Sequence, residues 1–198
     1  AIGADKRIGE KFLDAGPGVG GSCFQTDILN LAYLCRYYGL EKISNYWEQV
    51  LIVNNWQKER IASLVVEKLF GTVTNKKIAL FGFSFKANTN DTRESPAIQI
   101  LSNLLSEGSI LQIHDPKVTA NQIKNSLDFH YETNKLDKNN LQKRWTLEKS
   151  IEDAVRNTDA VIILTEWDEY KKVDWIKVSN IMRPPSWVFD TRLVTNPK

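Results

Sequence analysis

The chain has 198 residues, of which 42% are hydrophobic and 25% charged, with 26 basic against 24 acidic side chains. This composition is that of an ordinary globular protein, and it excludes a fibrous or a disordered chain. A formal charge of +2 without a basic stripe gives no indication of a nucleic-acid partner. No apolar run reaches the ~20 residues that span a bilayer, and the first residues lack the apolar core of a signal peptide. We therefore expect no membrane partner and a cytoplasmic location. Because the chain starts at Ala1 in a stretch typical of a helix-to-loop transition, we also expect a fragment of a longer protein.

The first part of the chain, residues 1–74, is helical in pattern. Ser22 and Gln25 have the spacing of a capping box, which predicts that a helix starts there with Ser22 as its N-cap. Apolar residues then recur at helical spacing up to Gly39, a residue typical of a helix end. A second and longer helix is predicted over about residues 44–70.

From residue 75 the pattern changes to short apolar runs that alternate with helices. The predicted strands cover residues 77–83, 110–114, 160–165 and 187–190. Strands alternating with helices indicate βαβ units and a parallel sheet. We therefore predict an α/β fold: a helical central region (residues 1–74) followed by a doubly wound, mainly parallel, Rossmann-like sheet domain (residues 75–198).

Local signals place two further helices in the second part. Ser95 and Pro96 suit the N-cap and first position of a helix that ends at Gly108, and Ser150 suits the N-cap of a short helix. Residues 117–146 are polar and irregular, and we interpret them as an insertion or a poorly ordered loop.

Ligands of a doubly wound sheet bind outside the carboxyl ends of its strands. Three cations follow predicted strands: Lys86 and Arg93 come after the first, and Arg192 after the last. Together they would form a cationic rim suited to a phosphorylated ligand, with solvated loop charges as the alternative. The other residues predicted at this edge are Phe85, Asp91, Asp115, Glu166 and Trp167.

A glycine-rich loop covers residues 16–21. Its glycines match the spacing of the dinucleotide fingerprint, but no strand precedes them as that motif requires. The favoured interpretation is a backbone that approaches a ligand closely because no side chain intervenes. The loop leads directly into a helix N-terminus, where free N–H groups favour negative charge.

Cys23 lies on the first turn of that helix. A disulfide with Cys35 is excluded, because about 18 Å of helix separates the two residues and a bridge needs Cα atoms within about 7 Å. A metal site lacks partners, since His114 and His130 are the only histidines and lie far along the chain. Cys23 is then either an inert core cysteine or an activated nucleophile, and the loop and helix start favour the nucleophile. Cys35 is predicted to lie in the core.

These residues resemble the UDP-glucose 6-dehydrogenases of the UDP-glucose/GDP-mannose dehydrogenase family. The matching motifs, in chain order, are GGSCFQTD (20–27), FSFK (83–86), DTRES (91–95), TEWD (165–168) and FDTR (189–192). The resemblance covers the end of the family's central helical region and its C-terminal UDP-binding domain.

The resemblance implies an enzyme that converts UDP-glucose to UDP-glucuronate through two successive hydride transfers to NAD+. The family's cysteine, matched by Cys23, captures the C6 aldehyde as a thiohemiacetal that becomes a thioester, which water hydrolyses. Asp27, one helical turn later, would assist in activating the water. A homo-oligomer, at least a dimer, is also implied, because Arg7 matches an arginine that contacts substrate across a dimer interface.

The resemblance also implies the site residues, and no metal. Substrate-binding positions are Arg7, Asp14, Ala15, Gly16, Pro17, Gly18, Val19, Gly20, Phe85, Lys86 and Arg192. Cofactor-binding positions are Cys23, Phe24, Gln25, Thr26 and Arg93, of which Arg93 would reach the NAD pyrophosphate. The sequence departs from the family pattern at Thr26, where lysine is usual, and at Thr191, where glycine is usual.

Two alternatives to UDP-glucose oxidation remain open at this point. One is another nucleotide-sugar 6-dehydrogenase, acting on UDP-N-acetylmannosamine or GDP-mannose, although Ser22 before the cysteine and the TEWD motif favour UDP-glucose. The other is a non-catalytic UDP-sugar-binding module. Because the family's N-terminal NAD-binding domain and catalytic lysine have no match here, we expect no turnover by this chain alone.

Overall fold

The computed structural model of the chain describes residues 2–7, 9, 13–136 and 143–195. Two helices come first, α1 (Ser22–Tyr37) and α2 (Glu41–Lys68), after a short 3₁₀ turn at Ile2–Ala4. The strands that follow are β1 (Lys77–Phe81), β2 (Ile110–His114), β3 (Trp145–Leu147), β4 (Ala160–Ile163) and β5 (Trp187–Asp190). The helices between them are α3 (Pro96–Ser106), α4 (Ala120–Thr133), α5 (Ile151–Val155) and α6 (Trp175–Ile181). Among the described residues, no helix combines the length and the apolar character that a bilayer crossing requires.

The start of α1 differs from the prediction, whereas its end agrees with it. The N-cap is Gly21, with φ of 87°, and no side chain caps the helix, so Ser22 is its first helical residue and not its cap. At the other end, Gly39 has φ of 74° and the Leu40 amide donates to the Cys35 carbonyl at 2.8 Å. These are the marks of a Schellman motif, and the predicted stop at Gly39 is confirmed.

The helix α2 connects the first part of the chain to the sheet. It begins directly after the turn that ends α1, and the buried Ser44 hydroxyl donates to the Ala32 carbonyl of α1 at 2.9 Å. In its second half, Ile61, Ala62 and Val65 are buried in the core cluster that also contains apolar residues of β1 and α3. One continuous helix therefore holds the α1 region against one face of the sheet.

The sheet has five parallel strands in the order β3-β2-β1-β4-β5. Side chains alternate between its faces: Ile78 and Leu80 of β1 pack under α2, α3 and α4, whereas Ala79 and Phe81 pack against α5 and α6. All four are fully buried, which explains why these strands read as continuous apolar runs. The predicted α/β fold with a doubly wound parallel sheet is confirmed, with one more strand than predicted.

The interpretation of residues 117–146 as an irregular insertion is wrong for the part that the structure describes. Thr119 and Gln122 form a reciprocal capping box at the start of α4. Further on, β3 pairs with the edge of β2, and residues 137–142 lie outside the described part. The buried face of α4 consists of Ile123, Leu127 and Tyr131. This segment is polar because it covers one face of the sheet with only a narrow apolar stripe.

Candidate functional site

The order of the strands places a crevice between β1 and β4. The connection that follows β1 leads to β2 on one side of the sheet, and the connection that follows β4 leads to β5 on the other side. The loops after β1 and β4 therefore diverge and open a gap at the carboxyl edge. At the end of β1, Gly82 has φ of 91°, and a Cβ built there would lie 2.3 Å from the Thr165 Cβ. Only glycine allows the two strand ends to approach this closely. The Thr165 hydroxyl then donates to the Ser84 carbonyl at 2.7 Å and ties the two loops together.

Asp115, at the end of β2, holds the turn that follows β1. One carboxylate oxygen accepts from the amides of Phe83, at 2.7 Å, and Ser84, at 3.1 Å. The other oxygen accepts from the amides of Lys117, at 2.9 Å, and Val118, at 3.0 Å. The sequence placed Asp115 at the ligand edge, but its carboxylate is buried and occupied by the backbone. Its role in the structure is to fix the path of the chain toward Phe85 and Lys86.

We expect Asp115→Asn to destabilise the chain by about 2–4 kcal/mol, because an amide nitrogen would face two N–H donors on one side. Urea unfolding monitored by circular dichroism measures this change. The matched control is Asp168→Asn, at an exposed carboxylate that pairs with Lys171 on the surface, for which we expect less than about 1 kcal/mol. Equal effects of the two substitutions would contradict the assignment of Asp115 as an anchor.

The glycine-rich loop packs directly on the segment that follows β1. The Gly21 amide donates to the Arg93 carbonyl at 3.0 Å, and a Cβ on Gly20 would lie 2.6 Å from the Glu94 carbonyl oxygen. From α2, the Asn54 side chain accepts from the Val19 amide at 2.8 Å and donates to the Val19 carbonyl at 3.0 Å. The loop is therefore fixed between α2 and the sheet, and its glycines serve close packing of protein against protein.

A cleft of about 690 Å³ lies between this loop, α2 and the carboxyl edge of the sheet. The sequence-predicted residues that line it are Asp14, Ala15, Gly16, Gly18, Val19, Gly20, Phe24, Phe85, Lys86 and Arg192. Glu166, which the sequence predicted at the ligand edge, also lines it, and the lining residues that the sequence did not indicate are Val50, Val53, Asn54 and Gln57. The cleft thus joins the two parts of the chain that the resemblance had assigned to one substrate.

Arg192 is the most constrained cation of the cleft. Its Nε donates to the Leu164 carbonyl at 2.9 Å and its Nη2 to the Phe85 carbonyl at 3.2 Å. Burial lowers its pKa, and the nearby carboxylates of Glu166 and Asp14 oppose this shift only in part. The guanidinium stays charged, since the pKa of arginine ordinarily lies above 12. Among the described residues no hydrogen bond is found for Nη1, which lies 3.0 Å from the position of a Cβ built on Gly16. One fork of the guanidinium is therefore available to an anion.

Glu166 holds Arg192 from the other side. Its Oε2 lies 3.2 Å from the Arg192 Nε, and its Oε1 accepts from the Ala87 amide at 3.3 Å. Oε2 is buried without a hydrogen bond, because the Arg192 Nε–H is directed at the Leu164 carbonyl. The contact is therefore an ion pair that orients the guanidinium without occupying its free fork.

Lys86 and Phe85 form the wall after β1. The Lys86 ammonium lies 5.2 Å from the centre of the Phe85 ring, and Lys86 is exposed. The Phe85 ring also packs against Gly21, whose Cβ would lie 3.1 Å from it. An exposed ammonium beside this aromatic ring is available to contact a phosphate from the solvent side.

The cysteine predicted as nucleophile is exposed on the first turn of α1. Cys23 precedes Phe24, which lines the cleft, and Cys35 is buried in the core as predicted; neither cysteine is in a disulfide. Asp27, four residues on, is also exposed. The hydrogen bonds and the charge of the Asp91 carboxylate raise the pKa of Arg93.

Some predicted residues lie away from the cleft. Arg93 and Gln25 line a neighbouring pocket, so the three predicted cations do not form one rim, because the glycine loop packs on the Arg93 backbone between them. Thr26 is exposed, and its hydroxyl donates to the Ser22 carbonyl. Arg7 is exposed and pairs with Asp5.

Two further predictions concern a proline of the loop and a metal site. Pro17, within the glycine loop, is buried and does not line the cleft. The part of the chain that the structure describes holds no group of three or more His, Cys, Asp or Glu side chains arranged for a metal ion.

Comparison with known proteins identifies the family of the chain. The chain matches the UDP-binding domain of the UDP-glucose/GDP-mannose dehydrogenase family over residues 79–197, and the central domain of that family over residues 1–56. It is similar to the UDP-glucose 6-dehydrogenase of Caenorhabditis elegans, with 43% identity over 100% of the chain and 40% of the relative. The enzyme of Bos taurus is 46% identical over 98% of the chain and 39% of the relative.

Among solved structures, a UDP-glucose dehydrogenase from Pyrobaculum islandicum aligns with a TM-score of 0.73 and 28% identity. The alignment covers 98% of this chain and 39% of that one. The chain thus spans about two fifths of the length of the relatives it matches. On the family matches, which cover most of its length, the chain belongs to the UDP-glucose/GDP-mannose dehydrogenase family.

Proposed function

We propose that this chain is the UDP-sugar-binding and cysteine-bearing part of a UDP-glucose 6-dehydrogenase, an NAD-dependent enzyme that forms UDP-glucuronate. The observation that carries the proposal is the cleft itself. It joins the free fork of Arg192, the exposed Lys86 and the glycine loop, and the helix that follows this loop presents Cys23 on its first turn. The curated relatives with 43–46% identity are named UDP-glucose 6-dehydrogenases, which favours UDP-glucose over other nucleotide sugars.

In this proposal the two cations of the cleft bind the diphosphate. The guanidinium of Arg192 is oriented by Glu166 and two backbone carbonyls, so little side-chain entropy is lost when it donates to a phosphate oxygen. Lys86 adds a second, mobile charge. The glycine loop, through Gly16, Gly18, Val19 and Gly20, offers backbone to the sugar on the opposite wall.

Cys23 would act on the sugar carbon. A thiolate adds to the C6 aldehyde and forms a C–S bond, which keeps the intermediate attached until water releases the acid. Asp27 lies one turn further along α1, where its carboxylate would accept a proton from that water. When bound, a nicotinamide cofactor supplies the hydride acceptor for such an oxidation.

The chain's own residues fit such a cofactor at one place. The Arg93 side chain is 69% exposed and is oriented by three hydrogen bonds from its Nε and Nη2 to the Asp91 carboxylate, and it is therefore suited to a pyrophosphate. Gln25 lines the same pocket. We propose NAD as the cofactor, with residues 1–74 and 75–198 as the central and UDP-binding regions. The homo-oligomeric state, with Arg7 at an interface, and the cytoplasmic location remain predictions from the sequence.

Titration calorimetry with UDP tests the binding half of the proposal. We expect the chain to bind UDP, and we expect Arg192→Gln to weaken the affinity by about tenfold to a hundredfold, because one charged hydrogen bond is worth ~1.5–3 kcal/mol. The control is Arg156→Gln, at an exposed arginine after α5 that pairs with Asp153. We also expect this chain alone to produce no NADH from UDP-glucose. UDP affinity unchanged in Arg192→Gln would overturn the assignment of the cleft.

A further inference from the structure

One face of α2 lies against the glycine-rich loop. Asn54, Gln57 and Lys58 have the spacing that places side chains on the same side of a helix, and all three reach the loop. The Gln57 amide approaches the Gly16 carbonyl only to 3.5 Å. Lys58 packs the stem of its side chain against Gly18, whose Cβ would lie 3.2 Å from the Lys58 Cγ. The two short hydrogen bonds of this face come from Asn54.

Both hydrogen bonds of Asn54 join it to a single residue of the loop. Its Oδ1 accepts from the Val19 amide at 2.8 Å, and its Nδ2 donates to the Val19 carbonyl at 3.0 Å. The amide belongs to the peptide group before Val19 and the carbonyl to the peptide group after it. One side chain therefore restrains two consecutive peptide planes. Because one partner is a donor and the other an acceptor, the orientation of the carboxamide is fixed as well.

Each of the two restrained peptide groups adjoins a glycine. Gly18 precedes Val19 with φ of 136°, and a Cβ built there would lie 3.1 Å from the Asn54 Oδ1, so glycine allows the close approach. Glycine loses more conformational freedom on folding than any other residue, so this segment needs an anchor to keep one path. In the part of the chain that the structure describes, the other short hydrogen bond of the loop runs from the Gly21 amide to the Arg93 carbonyl. It lies beyond the segment that Asn54 holds.

We propose that Asn54 is a positioning residue of the cleft, which fixes the wall that faces the sugar before the substrate binds. This inference rests on the proposed function, because it takes Gly18, Val19 and Gly20 as the wall against which the sugar lies. A wall that is already in its binding conformation spares the complex the entropic cost of ordering a glycine-rich segment. Asn54 lines the cleft too, but its oxygen and its nitrogen both bond to Val19, so its effect on the sugar is exerted through the loop.

Amide hydrogen exchange of the chain without ligand tests the anchoring part of the proposal. Asn54→Leu keeps the approximate size of the side chain but removes the donor and the acceptor, so the Val19 amide should exchange at least about tenfold faster. The Gly21 amide, bonded to the Arg93 carbonyl, is the internal control and should keep its rate. Asn54→Ala should give the same result, which separates loss of the carboxamide from a packing fault of leucine. Equal exchange of the Val19 amide in all three chains would overturn the proposal.

Calorimetry with two ligands tests the part that concerns the sugar. We expect Asn54→Leu to weaken UDP-glucose binding about tenfold and UDP binding less than about threefold, because the loop faces the sugar whereas the cations of the cleft face the diphosphate. A general loss of stability would instead lower both affinities by the same factor. The matched control is Asn45→Leu, at an exposed asparagine near the start of the same helix and outside the cleft. It should leave both affinities unchanged.

The outcomes separate this proposal from the proposed function. No UDP binding by the unsubstituted chain, or an unchanged affinity in Arg192→Gln, would overturn the UDP cleft and with it the role of Asn54 toward the sugar. If Arg192→Gln weakens UDP binding as expected, the cleft stands. Equal losses of UDP and UDP-glucose affinity in Asn54→Leu, or no loss of either, would then overturn the positioning role alone.

Discussion

Replacing Cys23 with serine should reduce UDP-glucuronate formation by on the order of 10³-fold or more, in a protein that carries this chain together with a nucleotide-binding domain. Serine occupies nearly the same volume at this exposed position, so folding and UDP affinity should not change. A hydroxyl is far less nucleophilic than a thiolate at neutral pH, so the aldehyde would no longer be held for the second oxidation. Product analysis by chromatography, with UDP affinity measured in parallel, checks both expectations.

The chain offers a matched control for this experiment. Cys35 lies on the same helix and is buried in the core, so Cys35→Ala removes a thiol without touching the cleft. We expect it to cost some stability and to leave the reaction intact. A thiol reagent should correspondingly label Cys23 quickly and Cys35 only on unfolding. Full conversion by the Cys23→Ser protein would contradict the assigned nucleophile and leave the UDP-binding module as the better interpretation.

The parts of the fold that the sequence predicted well are those with local causes. Gly39 ends α1 because the chain there needs a positive φ, and Ser95 with Pro96 starts α3 because one accepts from a helical amide and the other lacks one. Ser150 likewise accepts from the Asp153 amide at the start of α5. Each signal lies within a few residues, so no knowledge of the tertiary structure was needed.

The failures have physical reasons of two kinds. Thr119 and Gln122 form a capping box that was present in the sequence, but the polar composition of residues 117–146 outweighed it in the prediction. Ser22 had the same kind of signal and is not a cap, because Gly21 takes that place when it packs on Phe85. Tertiary packing decided between two equally good local signals.

Part of the candidate site could be predicted because chemistry-bearing residues follow strands. Lys86 and Arg192 follow from the rule that ligands bind at the carboxyl edge. Asn54 lies inside a helix, where nothing in the local sequence indicates that its amide fixes the backbone of Val19. Glu166 was placed at the edge, but its pairing with Arg192 depends on the distance between two loops. Contacts of this kind form only between segments that folding brings together, so the local sequence does not indicate them.

The glycines of the loop have a different role in the structure from the one that the sequence predicted. From the sequence, its glycines predicted a backbone open to a ligand. In the structure, Gly20 and Gly21 face protein, and Gly16 lies against the Arg192 guanidinium. Glycine is therefore needed so that one loop can approach the sheet domain and form a wall of the cleft. The tightest of these loop contacts is the one between Gly20 and the Glu94 carbonyl.

Gly20→Ala should both destabilise the chain, by ~2–3 kcal/mol, and weaken UDP binding at least about tenfold. The new Cβ would lie 2.6 Å from the Glu94 carbonyl oxygen and 2.9 Å from the Pro96 Cδ. Neither group can rotate away, since one is backbone and the other is a ring at the start of α3. The loop would have to lift from the sheet, which breaks the bond between the Gly21 amide and the Arg93 carbonyl. Urea unfolding and UDP calorimetry measure the two effects.

The control is a glycine substitution that costs stability without moving the loop. Gly39 has φ of 74° and nothing within 4 Å of its Cβ position. Gly39→Ala should therefore lower the free energy of unfolding only by the conformational strain, about 1–2 kcal/mol. We expect its UDP affinity to equal that of the unsubstituted chain. If Gly20→Ala binds UDP equally well while it unfolds more easily, the loop is not a wall of the ligand site. If both variants lose affinity in proportion to their stability, general unfolding explains the loss and close approach of the loop does not.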